Sequence, residues 1–201
     1  VITAIIFIIG ISIGVYLDQS RVEEVQNRLT EVDTLWNDDR LQITLQDLTN
    51  NSLSCESVIK ANLQFNDRIF DEGQKIERFE QTNRFAPSLL LEKRRYALLQ
   101  TQFWFNSVDI KNSCNADYST LVYFYSYYNE TVAITQKLQS AVLLDLKEKC
   151  GQKLMLIPLP LDLNITTIDI LEENYKIKTT PAILINENIL LQDLQTENDL
   201  T

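Results

Sequence analysis

Hydrophobic residues follow three different patterns along the chain, and each pattern predicts a different kind of element. The first is an apolar run over residues 1–17 that contains no charged side chain. As a helix this run measures roughly 25 Å, close to the thickness of a bilayer core, and Tyr16 suits the interfacial aromatic belt. We therefore predict a retained transmembrane helix over residues 1–17, with a buried core helix or a cleaved signal peptide as the alternatives.

The second pattern has helical periodicity and covers residues 18–112, which we predict to form a helical hairpin or small bundle that serves as a stalk. Its first helix carries apolar residues at alternating spacings of three and four, namely Val22, Val25, Leu29, Val32 and Trp36. These residues form a heptad seam of about two and a half repeats. The seam either packs against the chain's own next helices, which its short length favours, or forms a parallel coiled coil with another copy.

Two further helices complete this region. One begins near Ser54, whose side chain can cap a helix N-terminus, and Gly73 inside this helix costs some stability. The other runs from residue 88 to about residue 111, after a turn at residues 81–87. The apolar residues that we expect in their core are Val58, Ile59, Leu63, Ile69, Phe70, Ile76, Phe79, Leu91, Leu98, Leu99, Phe103, Trp104 and Val108.

The hairpin predicts how two of the three cysteines pair. With a turn near residue 84, Cys55 lies 29 positions before the turn and Cys114 lies 30 positions after it. An antiparallel helix pair therefore sets the two side by side, and we predict a disulfide worth roughly 4 kcal/mol in the chain-entropy model. Two unpaired thiols are the alternative. The bond requires an oxidising compartment, which agrees with a soluble part outside the cytoplasm.

Beyond residue 115 short apolar runs alternate with helical segments. We predict strands at residues 120–126 and 153–161, helices at 131–150 and 166–175, and a terminal hairpin formed by residues 182–186 and 189–191. In the first of these helices we expect Leu138, Ala141, Val142 and Leu146 to point inward, with Gly151 ending it. The order β-α-β-α-β-β implies a parallel first pair and an antiparallel last pair. The predicted fold class is α+β overall, with an α/β domain over residues 115–201.

Two short sequence motifs stand at defined places in this order of strands and helices. Phe124-Tyr125-Ser126 ends the first strand, and Thr180-Pro181 precedes the terminal hairpin. Together with the element order they resemble the thioredoxin fold, in which the first strand-to-helix turn carries Cys-x-x-Cys and the Thr-Pro dipeptide forms a cis-proline loop facing it. The resemblance covers about residues 115–201. With the anchored helical region before it, the chain is similar to membrane-tethered thioredoxin-like proteins.

The resemblance also implies which chemistry is missing. Asn129 and Val132 occupy the two cysteine positions, in the turn Asn129-Glu130-Thr131-Val132, and neither can form the thiolate that disulfide exchange needs. Cys150 falls at the C-terminal end of the following helix, where the helix dipole disfavours a thiolate. We interpret it as a buried or half-buried structural thiol rather than a reactive one, and we expect no catalytic residue in this domain.

The same turn is a candidate surface for a protein partner. In this fold the residue before the cis-proline, here Thr180, leaves backbone groups free to pair with an extended peptide, and Tyr125, Tyr127 and Tyr128 can supply aromatic contacts. The alternative is that the turn alone requires Pro181 and that the tyrosines only pack or lie exposed. The candidate partner-binding residues are Tyr127, Tyr128, Asn129, Val132, Thr180 and Pro181.

Charge and composition remove several other functions. The net charge of −10 argues against a nucleic-acid partner, and the isolated Lys93-Arg94-Arg95 cluster is interpreted as a solvated helix face. There is no histidine and no glycine-rich phosphate loop, so we expect no cofactor and no metal ion. Candidate glycosylation sites for a protein outside the cytoplasm are the Asn-x-Ser/Thr sequons at Asn50, Asn129 and Asn164.

The predicted function is therefore that of a membrane-anchored, redox-inactive thioredoxin-like domain. It would act as an extracytoplasmic protein-interaction or assembly module, bound to a protein partner or to another copy. One alternative is a relative of the thiol-disulfide oxidoreductases that uses Cys150 or the Cys55/Cys114 pair. The other is a structural subunit of a membrane complex or filament, with the apolar N-terminal helix packed in an oligomer core.

Overall fold

A computed structural model describes residues 2–49, 55–83 and 87–200, apart from the side chains of residues 4, 17–19, 21, 22, 25, 38–49, 79–83, 87 and 88. Three long helices come first: α1 (Ile2–Thr49), α2 (Cys55–Asn83) and α3 (Pro87–Cys114). The elements that follow are β1 (Ser119–Tyr125), α4 (Ala133–Cys150), β2 (Leu154–Pro160), α5 (Thr166–Tyr175), β3 (Ala182–Ile185), β4 (Ile189–Gln192) and α6 (Glu197–Leu200). The predicted α+β class and the order β-α-β-α-β-β are confirmed. Asn50, Ser54 and the centre of the predicted turn at residues 84–86 lie outside the described residues.

The four strands form one mixed sheet in the order β2-β1-β3-β4. The β1–β2 pair is parallel, whereas β1–β3 and β3–β4 are antiparallel, as the sequence pattern predicts. Strand β1 is rich in β-branched and aromatic residues and is buried on both faces. Leu121 and Tyr123 belong to the cluster that α4 covers, while Val122 and Phe124 belong to the cluster that α3 covers.

Helix α3 joins the helical region to the sheet. On one side its fully buried Trp104 packs edge-on against Phe124 of β1, with ring centroids 6.5 Å apart. On the other side its Phe103 contacts Phe65 of α2 at 5.5 Å, and Phe65 in turn contacts Trp36 of α1 at 5.0 Å. The helical region and the sheet therefore share one continuous hydrophobic core.

The predicted core of the helices is correct only in part. Ile69, Ile76, Leu99, Phe103 and Trp104 are buried, but Leu91 and Leu98 are 60% and 41% exposed, so the prediction for these two is wrong. Helix α3 is packed on two sides, by the other helices and by the sheet, and these leucines lie on its remaining outer side. Helix α4 ends at Gly151 as predicted, but its buried residues are not the predicted set. They are Gln136, Gln139, Leu143, Leu146 and Lys147. Of the four predicted residues, Leu146 is therefore confirmed and Val142 is half-buried, whereas the prediction is wrong for Leu138, which is 54% exposed, and for Ala141, which is exposed.

The heptad seam of α1 packs within the chain. Leu29, Val32 and Trp36 are all buried in the shared core, so this part of the seam packs against α2 and α3. Packing against the chain's own helices, the interpretation favoured by the seam's short length, is confirmed for these three residues. A coiled coil with another copy has no support here, and the side chains of Val22 and Val25 lie outside the description.

Helices α1 and α2 run antiparallel, and their register shows how far the pairing extends. Arg28 Nη1 lies 3.9 Å from Glu72 Oε1. Eleven residues separate Glu72 from the end of α2 at Asn83, and eleven residues before Arg28 is Leu17. The part of α1 before Leu17 therefore extends beyond the end of α2. Its apolar side chains, all at least 51% exposed, are Ile2, Ile5, Ile6, Phe7, Ile8, Ile9, Ile11, Ile13, Val15 and Tyr16.

The predicted transmembrane helix at residues 1–17 gains no support from this structure. Within residues 2–49, 55–83 and 87–200, no helix has a stretch that is both long enough and apolar enough to cross a membrane.

The predicted disulfide is present and closes the far end of the helical hairpin. Cys55 and Cys114 are bonded, with an S–S distance of 2.07 Å and a Cα–Cα distance of 5.3 Å. Close to this bond, Tyr118 donates its hydroxyl proton to the carbonyl of Ser107 at 2.6 Å. The Cys55–Cys114 pairing predicted from the two helix lengths is thus confirmed.

Candidate partner-binding face

The sheet brings the two sequence signatures to one edge. In the β1–β3 register Phe124 lies opposite Ala182, which places Pro181 beside the end of β1. The Thr180–Pro181 peptide bond is cis, as the resemblance implies. Leu161, just after β2, donates its backbone N–H to the carbonyl of Tyr125 at 2.9 Å. The segments that follow β1 and β2 therefore meet the segment that precedes β3.

We call the six predicted residues at this edge the candidate face: Tyr127, Tyr128, Asn129, Val132, Thr180 and Pro181. Tyr128 is 52% exposed and Asn129 is also exposed. Tyr127 is buried and packs edge-on against Tyr128, with ring centroids 5.0 Å apart. Val132 and Thr180 are half-buried and Pro181 is buried. The accessible part of the face thus rests on a buried tyrosine and a buried proline.

Asp162 holds the loop of the candidate face, and the sequence analysis missed it. Its carboxylate accepts hydrogen bonds from the Ser126 hydroxyl at 2.5 Å, from the Tyr127 N–H at 2.6 Å and from the Tyr128 N–H at 2.8 Å. Hydrogen bonds to a carboxylate are among the strongest in proteins. A signal was available, because Asp162 lies two residues after the second strand of a parallel pair and the carboxyl ends of such strands meet at one edge.

The start of α4 fixes the same loop from the other side. Gln136 accepts the Ser126 N–H at 2.6 Å with its side-chain oxygen and donates to the Ser126 carbonyl at 3.0 Å. Asn129 accepts the N–H of Thr131 at 3.0 Å and so caps the short 3₁₀ turn at residues 130–132. Polar side chains from α4 and from the loop itself therefore satisfy the irregular backbone after β1.

The Lys93-Arg94-Arg95 cluster is not a solvated face, and that prediction is wrong. Lys93 is only 7% exposed, and its Nζ lies 5.3 Å from the ring centre of Tyr127 and 5.6 Å from that of Tyr125. Arg94 Nε donates to the carbonyl of Leu163 at 2.8 Å. A long cationic side chain can bury its stem while its ammonium group meets aromatic rings. Helix α3 therefore packs against the buried side of the candidate face.

The cysteines lie away from this face. Cys150 is exposed, so its interpretation as a buried or half-buried thiol is wrong. It ends α4, an 18-residue helix of about 27 Å whose first residue adjoins the face. Near that far end, Lys153 forms an ion pair with Asp117 at 3.1 Å. Asp117 lies only three residues after Cys114, so the disulfide is at this end of the molecule too. No thiol is therefore available where a thioredoxin dithiol would be.

The hydroxyl of Tyr123 also bonds to the start of α4, next to the loop of the candidate face. Tyr123 of β1 donates its hydroxyl proton to the carbonyl of Gln136 at 3.1 Å. Burial raises the pKa of Tyr123 to about 12, so the phenol is neutral and remains a donor at physiological pH.

Among the described residues no group of three or more His, Cys, Asp or Glu side chains is placed to hold a metal ion.

Comparison with known proteins gives limited similarity. No protein-family model matches the chain, and no curated protein matches it. It resembles the structure of thioredoxin-2 from a malaria parasite, described as a component of the parasite's protein secretion machinery. The identity is 21%, over 41% of this chain and 77% of that one, with a TM-score of 0.34.

It also resembles the germline-specific thioredoxin Deadhead from Drosophila melanogaster. Here the identity is 15%, over 50% of this chain and 85% of that one, with a TM-score of 0.35. TM-scores below 0.5 do not establish a shared fold. Two features of this chain itself, the strand order β2-β1-β3-β4 and the cis Thr180–Pro181 peptide, agree with the thioredoxin-like fold that its sequence pattern resembles.

Proposed function

We propose that this chain is a membrane-anchored, redox-inactive thioredoxin-like protein whose candidate face binds another protein outside the cytoplasm. The observation that carries the proposal is the replacement of a dithiol by a fixed, thiol-free loop. Asn129 and Val132 stand at the cysteine positions, and the Asp162 carboxylate binds the loop from within.

The bonding of the loop supports a binding role over a redox role. A reactive thiolate at a helix N-terminus is stabilised by backbone N–H groups that point at it. Here the N–H groups of Tyr127 and Tyr128 bind Asp162, and that of Thr131 binds Asn129. The loop has no thiol, and these three N–H groups already bind side chains that fix its shape.

The composition of the candidate face suits a protein partner. Tyrosine is enriched at protein interfaces because it combines apolar area with a polar group, and Tyr128 is half exposed over the buried Tyr127. Thr180 lies beside the cis-proline, where the resemblance implies free backbone groups for an extended peptide. We propose that an extended segment of the partner pairs with Thr180 and contacts Tyr128.

Two further features support a location outside the cytoplasm at a membrane. The Cys55–Cys114 disulfide requires an oxidising compartment. The section of α1 from Ile2 to Tyr16 exposes apolar side chains around its whole circumference, a far larger apolar surface than monomeric proteins leave in water. We propose that this section inserts into a lipid bilayer and holds the chain there.

A peptide-display screen on the purified protein in detergent micelles tests the binding role. We expect ligands whose affinity falls at least tenfold in Tyr128→Ala and Pro181→Ala variants. Leu138→Ala, at an exposed position on α4 six residues beyond Val132, is the matched control and should bind like the parent. Ligands that are insensitive to both face variants would contradict the proposal.

The second candidate function is thiol chemistry at Cys150, which its exposure favours. Turnover of a small-molecule disulfide by the parent and by Cys150→Ser separates the two candidates. The proposed binding module gives the same background rate for both proteins. A rate that is well above background and disappears in Cys150→Ser would replace our proposal with the redox one.

A further inference from the structure

We infer that the candidate face is turned toward the membrane, at a height of about 20 Å, and that its partner is an extended segment of an integral membrane protein close to the bilayer. This inference rests on the anchor in the proposed function. It follows from the relative directions of α1, α3 and β1, each of which is fixed by contacts between side chains.

Helix α3 and strand β1 run in opposite directions. Near the end of α3, Trp104 donates its indole N–H to Glu187 Oε1 at 2.8 Å, and Thr120 at the start of β1 donates to the same oxygen at 2.6 Å. Near the beginning of α3, Lys93 lies against Tyr125 at the end of β1. The candidate face, which follows β1, is therefore level with the N-terminal part of α3.

Helices α1 and α3 run in the same direction. Arg95 Nη1 donates to the Thr30 hydroxyl at 3.3 Å, and Arg95 Nη2 lies 3.3 Å from Asp33 Oδ2. Further along, the tilted ring contacts of Trp36 with Phe65 and of Phe65 with Phe103 connect the same two helices through α2. The N-terminal end of α1 consequently projects from the end of the molecule that carries the candidate face.

The length of α1 gives the height of the face. Thr30 is level with Arg95, close to Lys93, and fourteen residues separate Thr30 from Tyr16. At 1.5 Å per residue this section measures about 21 Å. A fully extended segment rises about 3.3 Å per residue, so about six residues of a partner protein span the distance from the bilayer surface to the face.

The face lacks the basic residues that dock proteins on anionic lipid headgroups. None of its six residues is basic, and the chain carries a net charge of −10. Anionic lipid surfaces attract clusters of lysine and arginine and repel acidic proteins. A polar and aromatic loop beside a cis-proline instead fits a peptide segment, and its position selects segments that are tethered to the same membrane.

The chain supplies its own probe for the opposite end. Cys150 is exposed and unpaired, and it lies at the end of α4 that is remote from the face. The parent protein labelled at Cys150 therefore reports the distal end. Tyr128→Cys in a Cys150→Ser background reports the face at an exposed position. Energy transfer from each dye to acceptor-labelled headgroups in phosphatidylcholine vesicles compares the two heights.

We expect stronger energy transfer from position 128 than from position 150. Inserting seven residues, two helical turns of about 10 Å in total, between Tyr16 and Arg28 should weaken the transfer from position 128. Equal or reversed transfer at the two positions in vesicle-bound protein would overturn the orientation and leave the anchor intact. Labelled protein that fails to float with the vesicles would overturn the anchor and the orientation together.

The nature of the partner is tested with the parent protein, which keeps the Tyr128 side chain that we propose the ligand contacts. A ligand from the display screen is presented to vesicle-bound protein either free or joined to a transmembrane helix through a six-residue spacer. We expect tethering at this spacer length to raise occupancy at least tenfold, since it supplies a high local concentration. No gain at six residues, or a gain only with a spacer long enough to reach the distal end, would overturn the inference.

Discussion

The two ends of the sheet are held by different means. Where β1 begins, the turn between β3 and β4 binds α3 through Lys111 Nζ to Asn186 at 2.7 Å and through Trp104 to Glu187 at 2.8 Å. The Cys55–Cys114 disulfide closes the same end. Where β1 ends, the loop of the candidate face is held by Asp162 and Gln136, largely through bonds to its own backbone.

This difference separates the stability of the fold from the shape of the face. The distal bonds join different elements, and those of Glu187 reach the buried Trp104 and Thr120, so breaking them should weaken the whole structure. The bonds at the face join a half-exposed loop to its immediate neighbours, so breaking them should open the loop locally while the core remains folded. The predictions that follow test this division at both ends.

The largest effect is expected from removing the disulfide. A Cys55→Ser/Cys114→Ser variant should lose about 4 kcal/mol of unfolding free energy in the chain-entropy model, since the bond closes a long loop. Urea denaturation measures the loss, and Cys150→Ser serves as the control with little or no change. A double variant as stable as the parent would show that the distal end does not depend on this covalent bond.

The next largest effect is expected at Glu187. Its Oε1 accepts hydrogen bonds from Trp104 and Thr120, both of which are fully buried. Glu187→Ala leaves two buried donors without a partner and should cost about 2–3 kcal/mol. Glu187→Gln retains an acceptor oxygen and should cost about half as much. Equal stability of the two variants in urea would mean that these hydrogen bonds do not stabilise the distal end.

A smaller and local effect is expected at Asp162. Asp162→Asn turns an amide group toward N–H donors and should destabilise the loop by about 1.5–2 kcal/mol. Hydrogen exchange at Tyr127 and Tyr128 should then quicken about tenfold, since 1.4 kcal/mol is a factor of ten. Asp169→Asn, at an exposed position on α5, is the control. Faster exchange throughout β1 in the Asp162 variant would show that the loop does not open independently.

The last effect is confined to alkaline pH and is a pH dependence that arises from Tyr123. Burial raises its pKa to about 12, so the folded state holds a proton that the unfolded state releases above about pH 10. This contribution is complete below pH 10 and is lost as the pH rises toward 12, at no more than about 1.4 kcal/mol per pH unit. The slope of unfolding free energy against pH over that window should be shallower in Tyr123→Phe. An identical slope would show that Tyr123 is not among the groups responsible.

The sequence predicted best those features that depend on element order and chain length. The alternation of strands and helices gave the mixed sheet, and the two helix lengths gave the Cys55–Cys114 pair. Both follow from connectivity. Thr180-Pro181 was recognisable because its dipeptide is distinctive at that position, and its peptide bond is cis.

The pattern of hydrophobic and polar positions could not identify the buried polar residues that shape the candidate face. Gln136 and Lys93 are buried because they bind backbone and aromatic groups of the loop after β1, whereas a pattern-based prediction places such residues at the surface. The same cause explains the error in α4. There Gln139 accepts the N–H of Gln195 at 2.7 Å, and Lys147 donates to the carbonyls of Gly151 and Leu154 at 2.8 and 2.6 Å.

The unbroken backbone of α1 from Ile2 to Thr49 has a consequence for direction as well as for height. Each residue of a helix turns the chain by 100° as it advances. A single residue inserted or deleted between the projecting section and Leu29 would therefore rotate the whole domain by nearly a third of a turn around the helix axis. The number of residues in this section thus determines the rotation of the domain about the axis of α1. That rotation decides which surface of the domain faces a neighbouring protein in the membrane.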